Sequence, residues 1–482
     1  MSKQRKRAQL TFVYGLMTFA VVVSVAVLIL VILGYRFNRY DGRVEQGGLV
    51  QFDSRPVGAA VTLDTIQLAN RTPSKITVTA GAHTVTMKKD GYAAWQKNIS
   101  VQAGSVLWLN YARMLPTQRT TKEVLSQPAL TSAVASPDHK WLAVVGTASE
   151  PALTVVDLDA AAPTSTKLTL APIAYTAPAE GTPQTFTVTQ WDHDNRYVMV
   201  RHIYGDRTEF LSVDSRGVDA TVNISALLGV EATDITYSLR GNTIVNVLTS
   251  AHDVRQGDLS GRTLSGPLLA NVNDVTEFDR STLVYTTLPD ATGARKAGYL
   301  TIGASKPRVV RTAAVGTEIR LRIGRYYNTD YVVIAEGATT EILSGSLVAS
   351  GSQVGPNWKR IVSIPTATGV DNISFSPGEN RFVTIQKDAT IMTYDLELAA
   401  TARSTLPVAP GRPVDWLDSH HISSTSGGTA SFTDFDGTNH QVLANKSVVN
   451  LPLTISANGK FVYHAVITDG TMSLIRTNLL VD

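Results

Sequence analysis

Residues 133–145 read AVASPDHKWLAVV. Apolar residues lie on both sides of a short polar segment that contains Ser, Pro and Asp, and this pattern predicts two antiparallel strands joined by a tight turn. Two later stretches repeat it, ISFSPGENRFVTI at 373–385 and LTISANGKFVY at 453–463. The chain is therefore predicted to contain a repeated β-hairpin.

Five weaker copies of the same hairpin lie between these three. From Asp138 to Asn458 the mean spacing between turns is about 46 residues, close to the period of a four-stranded propeller blade. The sequence predicts a mostly β protein with an eight-bladed propeller at 117–482, or a seven-bladed one if the poor copy near Tyr326 is not a blade. The weaker copies are at 190–197, 238–242, 278–281, 325–328 and 416–420.

Several copies continue into a second hairpin with a polar turn. A Ser-Pro-Asp-Gly-Lys-like turn followed by a strand ending in Asp-x-x-Gly resembles the TolB-type, WD40-like propeller repeat. Such propellers act mainly as binding platforms, and their catalytic versions carry a separate hydrolase domain, so the resemblance implies binding. The second turns are VVDLD at 155–159, LSVDSRG at 211–217, GDLSG at 257–261, TYDL at 393–396 and TDFDG at 433–437.

The last copy has room for three strands, at 454–455, 461–467 and 472–477. Residues 121–125, TKEVL, precede the first copy and are predicted to supply its fourth strand. That pairing would join the two ends of the repeat region and remove its open sheet edges.

A block of short alternating strands at 48–116 precedes the repeats. Its turns resemble those of the PEGA domain, in which Ser-x-Pro-x-Gly-Ala leads to Val-x-Leu-Asp, Thr-Pro, Gly-x-His-x-Val and a Gly-Tyr turn. The chain departs from that pattern at Val57, where Glu is usual, and at Thr65, where Gly is usual. The resemblance implies a small β-sandwich from a bacterial or archaeal surface protein, without catalytic residues. The matching residues are Ser54, Pro56, Gly58, Ala59, Val61, Leu63, Asp64, Thr72, Pro73, Gly81, His83, Val85, Gly91 and Tyr92.

Residues 10–35, LTFVYGLMTFAVVVSVAVLILVILGY, contain no charged residue. As a helix they would extend ~39 Å, more than the ~30 Å hydrocarbon core of a bilayer requires. They are predicted to form a transmembrane helix between a basic cytoplasmic tail, 1–9, and a linker, 36–47. A cleaved signal peptide fits less well, because its apolar part is shorter and residues 33–36 offer no small-x-small site. A buried core helix is the third, weakest interpretation.

Basic residues set the predicted orientation. Lys3, Arg5, Lys6 and Arg7 precede the apolar segment, whereas Arg36, Arg39 and Arg43 follow it beside Asp41. This narrow bias places the N-terminus in the cytoplasm and the rest of the chain outside. Nine residues are too few for a folded cytoplasmic domain, which argues against a receptor that signals by itself.

Composition limits the remaining choices. The 482 residues are 43% hydrophobic and 17% charged, which suits several folded units rather than a disordered chain. The net charge of +3 gives no indication of a nucleic-acid partner. The absence of cysteine excludes disulfides and thiolate metal sites.

Each candidate site in the sequence has a structural interpretation that fits better. His83 has no second His nearby, and Trp95, Trp108 and Tyr111 are more typical of a core than of a sugar-stacking face. The adjacent residues Asp192-His193-Asp194 and His420-His421 occupy repeat turns, where neighbouring side chains diverge. Asp434, Asp436 and Gly437 resemble a hairpin more than a calcium loop. No catalytic, cofactor-binding or metal-binding residue, and no cofactor, is therefore predicted.

Four propeller tryptophans remain as candidates for a glycan-binding or protein-binding face: Trp141, Trp191, Trp358 and Trp416. Together these features predict a single-pass membrane protein of the bacterial cell envelope, not an enzyme, whose sandwich spaces a binding or scaffolding propeller away from the bilayer. Its expected partners are the bilayer and an envelope protein or glycan. The alternatives are an extracytoplasmic hydrolase acting on glycans or peptides, and a subunit of a larger envelope complex.

Overall fold

A computed structural model describes residues 3–32, 35–38, 43–347, 358–408, 412–448 and 451–481. The chain divides into two compact units, 1–118 with 480–482 and 119–479. The first unit contains one helix and two small sheets, and the second consists almost entirely of four-stranded sheets.

The predicted apolar helix is present as α1, Lys3–Ile32. Its most apolar part, Thr11–Val31, has 21 residues and a mean hydropathy of 2.6, and none of it is buried inside the protein. Length and composition therefore allow it to cross a membrane, although a signal sequence would share both properties. The predicted end at Tyr35 is wrong, because Tyr35 opens strand β1, Tyr35–Asn38.

The rest of the first unit forms two four-stranded sheets that pack into a sandwich. One contains β1, β2 and β5 in that order with β8 paired to β2, and the other has the order β4-β3-β6-β7. β1 pairs with residues 43–46 of β2, so strands occupy much of the segment predicted as a linker. The strands are β2 Arg43–Arg55, β3 Ala60–Leu63, β4 Ile66–Arg71, β5 Ser74–Thr79, β6 Gly81–Lys88, β7 Trp95–Val101 and β8 Val106–Arg113.

Alternating side chains from both sheets fill the sandwich core. Val50, Phe52, Val61, Val85 and Trp95 are each almost fully buried. Because strand side chains alternate between two faces, one face of each sheet lies on this core.

In the second unit, the described residues form eight four-stranded antiparallel sheets, each a blade of the predicted propeller. Strand β9, Thr121–Gln127, comes first. Blade 1 has β10 Ser132–Ala135, β11 Trp141–Val145, β12 Ala152–Asp157 and β13 Thr164–Thr169. Blade 2 has β14 Gln184–Trp191, β15 Tyr197–Tyr204, β16 Arg207–Asp214 and β17 Val222–Asn223, and helix α2, Ile224–Leu228, follows it. Blade 3 has β18 Ala232–Ser238, β19 Gly241–Thr249, β20 Val254–Asp258 and β21 Thr263–Leu264, and blade 4 has β22 Val272–Asp279, β23 Thr282–Thr287, β24 Lys296–Thr301 and β25 Arg308–Thr312.

The other four blades follow the same order. Blade 5 has β26 Ile319–Tyr326, β27 Thr329–Glu336, β28 Thr339–Gly345 and β29 Lys359–Pro365, and blade 6 has β30 Asn372–Phe375, β31 Phe382–Lys387, β32 Thr390–Asp395 and β33 Ala400–Thr405. Blade 7 has β34 Asp415–Trp416, β35 His421–Ser424, β36 Thr429–Asp434 and β37 Gln441–Asn445. Blade 8 has β38 Thr454–Ile455, β39 Phe461–Thr468 and β40 Thr471–Asn478, and β9 is its fourth strand. Since the hairpin at Tyr326 starts a blade of its own, eight blades are correct and the seven-bladed alternative is wrong.

The predicted ring closure is confirmed. Strand β9 pairs antiparallel with β40, with Leu125 opposite Leu474 and Thr121 opposite Thr477. Blade 8 also contacts blade 1, where the Tyr463 hydroxyl donates to the Leu158 carbonyl at 2.9 Å. The pairing removes the two free edges that an open array would expose.

A serine fixes the first turn of several blades. The Ser136 hydroxyl accepts a hydrogen bond from the Trp141 amide at 3.0 Å and donates one to the Asp138 carboxylate at 2.6 Å. Ser376 and Ser456 accept the equivalent amide hydrogen bonds in blades 6 and 8. The turn sequence therefore ends one strand and starts the next by local side-chain hydrogen bonding.

Candidate functional site

The first strands of three blades, 1, 7 and 8, come together at one place in the propeller. β10, β34 and β38, with the connections that lead into β34 and β38, line a cavity of about 280 Å³ there. Ring closure makes blades 7, 8 and 1 neighbours, and so brings together segments about 270 or more residues apart in sequence. The lining consists of Ala133, Val134, Ala135, His139, Val408, Arg412, Pro413, Val414, Asp415, Trp416, Ser423, Ser424, Thr425, Ser426, Leu451, Pro452, Leu453 and Thr454. We call this cavity the channel pocket.

Aliphatic side chains form much of the pocket wall. Val414, Leu451 and Leu453 are almost fully buried. Val414 packs with Ile422 and Leu406, and Leu451 belongs to the core between blades 8 and 1. This part of the wall is held by the packing of neighbouring blades, as expected of a pre-formed site.

Asp415 is the carboxylate of the channel pocket, and it accepts no hydrogen bond from the described residues. The residue is exposed to solvent. Nevertheless, burial raises the pKa of its carboxyl, and this effect is larger than the opposing effect of the nearby positive charge of Arg412, which lowers the pKa. A carboxylate in this environment is incompletely solvated and favours a donor or a cation.

A run of hydroxyl groups lies beside this carboxylate, on Ser423, Ser424, Thr425 and Ser426. The Ser423 hydroxyl donates to the Asp415 carbonyl at 3.3 Å, and the Ser424 hydroxyl donates to the Pro407 carbonyl. These hydrogen bonds tie the start of β34 to β35 and hold Asp415 at the pocket wall.

His139 and Trp416 complete the lining. His139 has a positive φ of 57°, and its buried Nδ1 has no hydrogen-bond partner among the described residues. The Trp416 indole donates to the Ser374 hydroxyl at 3.2 Å, which fixes its orientation. Of the four tryptophans proposed from the sequence, Trp416 is the one that lines the pocket.

The other tryptophans have different environments. Trp191 is buried and donates to the Val134 carbonyl at 2.8 Å, joining blades 2 and 1. Trp358 packs on the core between blades 4 and 5. Trp141 is 37% exposed at the start of its strand. The structure therefore does not bring the four together in one binding face.

In other blades, two carboxylates form ion pairs. The Arg322 guanidinium donates to the Asp274 carboxylate at 2.7 Å, between blades 5 and 4. Asp371 pairs with Lys387 at 3.1 Å and also accepts the Asp388 amide. Asp415 differs from these two carboxylates because no cation in the described part of the chain contacts it directly.

The predicted candidates in the sandwich are structural. His83 contacts the Asp64 carboxylate at 2.8 Å and the Thr79 carbonyl at 2.9 Å. Burial lowers the pKa of His83, but these two hydrogen bonds outweigh it and raise the pKa above its usual value. Trp95 is buried with Tyr111 packed edge-on against it at 5.8 Å, whereas Trp108 lies on the outer face, so the three rings do not form a sugar-stacking surface.

The Asp192-His193-Asp194 cluster diverges, as the turn position predicts. His193 and Asp194 are exposed, whereas Asp192 is buried and its Oδ1 accepts the amides of Arg196 and Tyr197. Its Oδ2 has no hydrogen-bond partner in the described part of the chain, and burial raises its pKa. Asp192 thus takes the place of the turn serine in blade 2.

The two adjacent histidines of blade 7 have separate environments. His420 packs edge-on against Phe382 at 5.4 Å, and burial lowers its pKa to about 4. His421 contacts the Asp418 carboxylate at 2.7 Å. They do not share a ligand position.

The segment at Asp434, Asp436 and Gly437 is a hairpin turn, as the sequence predicts. Asp436 accepts hydrogen bonds from the Thr438 amide and hydroxyl, and Gly437 has a positive φ of 83°. Within the described ranges, no group of three or more His, Asp or Glu residues is arranged to hold a metal ion.

Blade 2 contains a buried polar network that the sequence motifs do not reveal. Glu209 accepts four hydrogen bonds, from His202 Nδ1 at 2.8 Å, from the Thr176 amide and hydroxyl at 2.7 Å each, and from Asn223 Nδ2 at 2.8 Å. A signal was available, because His202 and Glu209 are equidistant from the two-residue turn at 205–206 and therefore pair across the hairpin.

Comparison with known proteins identifies the sandwich. Residues 48–114 are a PEGA domain. The PEGA domain here contains the His83 and Asp64 contact described above, together with the buried Trp95. No curated protein matches the chain.

Among solved structures, the β-propeller domain of Cps50 (Swd1) from Myceliophteria thermophila is 8% identical, with 74% of this chain and 99% of that chain covered and a TM-score of 0.39. An oligogalacturonate lyase in complex with manganese is 7% identical, with 75% and 98% covered and a TM-score of 0.40. An oligogalacturonate lyase from Vibrio parahaemolyticus is 7% identical, with 69% and 99% covered and a TM-score of 0.38.

Proposed function

We propose that this protein is a single-pass protein of the bacterial cell membrane whose propeller binds an envelope partner in the channel pocket. The observation that carries the proposal is the pocket itself, because a pre-formed concave site with aliphatic walls and a few polar groups is the usual form of a binding site. Asp415 is the carboxylate among its lining residues. Since glycoside hydrolysis usually needs two carboxylates that flank the scissile bond, this lining supports binding rather than hydrolysis.

The proposed location places the N-terminus in the cytoplasm, α1 in the bilayer, and the PEGA domain and propeller outside. The basic residues that precede the apolar segment and the known preference of PEGA domains for surface proteins support this topology.

Topology is testable with single cysteines, because the natural chain contains none. Gln4→Cys marks the tail, and Glu150→Cys marks an exposed hairpin of blade 1. In protoplasts, a membrane-impermeant maleimide is expected to label Glu150→Cys at once and Gln4→Cys only after permeabilisation. The reverse pattern would overturn the proposed orientation, and a mature protein whose mass lacks α1 would overturn the anchor.

Binding in the channel pocket is testable by blocking it after folding. Arg412→Cys introduces a thiol at an exposed position of the pocket lining, and a bulky maleimide attached there would occupy the cavity. Full-length protein in nanodiscs is expected to retain an envelope partner before this labelling and to lose it afterwards. Glu150→Cys with the same label is the control, and equal retention by both labelled proteins would contradict the proposal.

A further inference from the structure

The channel pocket combines an aliphatic wall with one carboxylate that accepts no hydrogen bond from the described residues. We propose that it receives the lysine side chain of a peptide segment of the partner, with the ammonium group on Asp415 and the butyl chain along the aliphatic wall. This inference rests on the proposed function and names the chemistry of the ligand.

The shape of the lining supports a lysine side chain rather than a sugar. Val414, Leu451 and Leu453 provide buried aliphatic surface, and Val134 and Val408 extend it. A lysine stem of four methylenes gains by removing its apolar surface from water, at roughly 25 cal/mol per Å², whereas the hydroxyls of a sugar ring would lose hydrogen bonds against this wall. The volume of about 280 Å³ suits one long side chain rather than a folded segment.

The charge distribution supports an ammonium group at Asp415. Two carboxylates in other blades already have cationic partners, Asp274 with Arg322 and Asp371 with Lys387, whereas no cation among the described residues contacts Asp415. The positive charge of Arg412 lowers the pKa of the Asp415 carboxyl, but burial raises this pKa by more. A cation in direct contact would supply the compensation that is missing.

Neighbouring groups suit the remaining donors of an ammonium group, which has three N–H bonds. Ser423, Ser424 and Thr425 place hydroxyl oxygens along the same wall, and the Trp416 indole lies beside them. The face of an indole attracts a cation within about 6 Å, which adds to the preference for a charged over a neutral ligand.

The test compares two peptides that differ only in the charge of one side chain. Full-length protein in nanodiscs is titrated with acetyl-Gly-Lys-Gly-amide and with the same peptide acetylated on the lysine amine, and binding is followed by saturation-transfer NMR on the peptide protons. Glucosamine, a cationic amino sugar, is the third probe. Asp415→Asn removes the charge without changing shape, and Asp469→Asn is the matched control in an exposed turn of blade 8 where φ is 50°.

We expect the lysine peptide to bind at least tenfold more tightly than the acetylated peptide and than glucosamine. Asp415→Asn should remove this preference, and Asp469→Asn should keep it, with unchanged near-ultraviolet circular dichroism in both variants. Equal binding of both peptides, tighter binding of glucosamine, unchanged binding by Asp415→Asn or no saturable binding would each overturn the inference. If the maleimide at Arg412→Cys still displaces the envelope partner in that case, the binding function stands and only the lysine assignment fails.

Discussion

Replacing Glu209 by glutamine removes the charge at the centre of the buried network of blade 2 while keeping the size of the side chain. The carboxylate is 5% exposed, and each of its oxygens accepts two hydrogen bonds. Glutamine offers one acceptor oxygen and places an NH₂ group where two of the four donors point. Since a buried donor left without its acceptor typically costs ~1–3 kcal/mol and two donors would face the NH₂ group, we expect a loss of stability of roughly 3 kcal/mol.

The pKa of Glu209 gives a second estimate. Burial raises this pKa, but hydrogen bonds from His202, Thr176 and Asn223 outweigh it and lower the pKa from 4.5 to about 2. At ~1.4 kcal/mol for each pH unit, the shift corresponds to roughly 3 kcal/mol, which agrees with the first estimate. Because the folded-state pKa lies below the unfolded value, this stabilisation is complete above pH ~4.5 and is lost as the pH falls towards about 2.

The assay is urea denaturation of the full-length protein in detergent micelles between pH 7 and pH 2.5, with hydrogen exchange of peptides from residues 170–224 to locate the effect. We expect Glu209→Gln to be less stable at pH 7 and the difference from the natural protein to shrink below pH 4.5. Glu180→Gln, an exposed change in the connection before β14, should change stability little. A Glu209→Gln deficit that is absent at pH 7, or that does not depend on pH, would refute the reasoning.

Three further changes test other parts of the chain. Asp192→Ser restores the serine of the equivalent turns and should stabilise the propeller by ~1 kcal/mol in urea denaturation. Because burial raises the pKa of Asp192, the gain in stability should be larger at pH 7 than at pH 3. An equal gain at both pH values would contradict this account. The hydrogen bonds that the His83 imidazolium donates to Asp64 and Thr79 stabilise the PEGA domain below pH ~6.5, and this stabilisation is lost as the pH rises through the raised pKa. An NMR titration should therefore show a lower His83 pKa in Asp64→Asn, and an unchanged pKa would show that the contact is unimportant. Gly298→Ala should destabilise blade 4 by ~1–3 kcal/mol in thermal melting, because a Cβ there would collide with the Arg308 carbonyl oxygen. If the variant melted at the same temperature as the natural protein, the neighbouring strand would have to move aside without cost, against this expectation.

Much of the fold was predictable because its determinants are local. The Ser136 turn and its equivalents fix a hairpin through side-chain and backbone hydrogen bonds within six residues, and eight such hairpins at even spacing imply eight blades. The closing strand was predictable by counting, since the last repeat lacks a strand that residues 121–125 supply. The PEGA turns were equally local, whereas β4, Ile66–Arg71, has no apolar alternation that would mark it as a strand, because most of its residues are exposed.

The functional groups were less predictable, because their environment depends on contacts distant in sequence. Asp415 follows an ordinary Pro-Val pair and resembles any strand aspartate. Its carboxylate accepts no hydrogen bond from the described residues, and the pocket around it forms only when blades 8 and 1 close beside it. Glu209 depends on Thr176, in the connection before β14, and on Asn223, at the end of the two-residue strand β17, and no periodic pattern marks either position. The sequence separates these groups, and the ring brings them together.

The position of the channel pocket follows from the way the ring is closed. Blade 8 is the one blade built from both ends of the propeller region, since β9 completes the sheet of β38, β39 and β40. The pocket lies between this blade and its neighbours, blades 7 and 1, so both its aliphatic wall and the surroundings of Asp415 depend on the pairing of β9 with β40. The proposed binding site at the closure therefore forms only in the complete ring, so partner binding, as proposed, is coupled to the folding of the whole propeller.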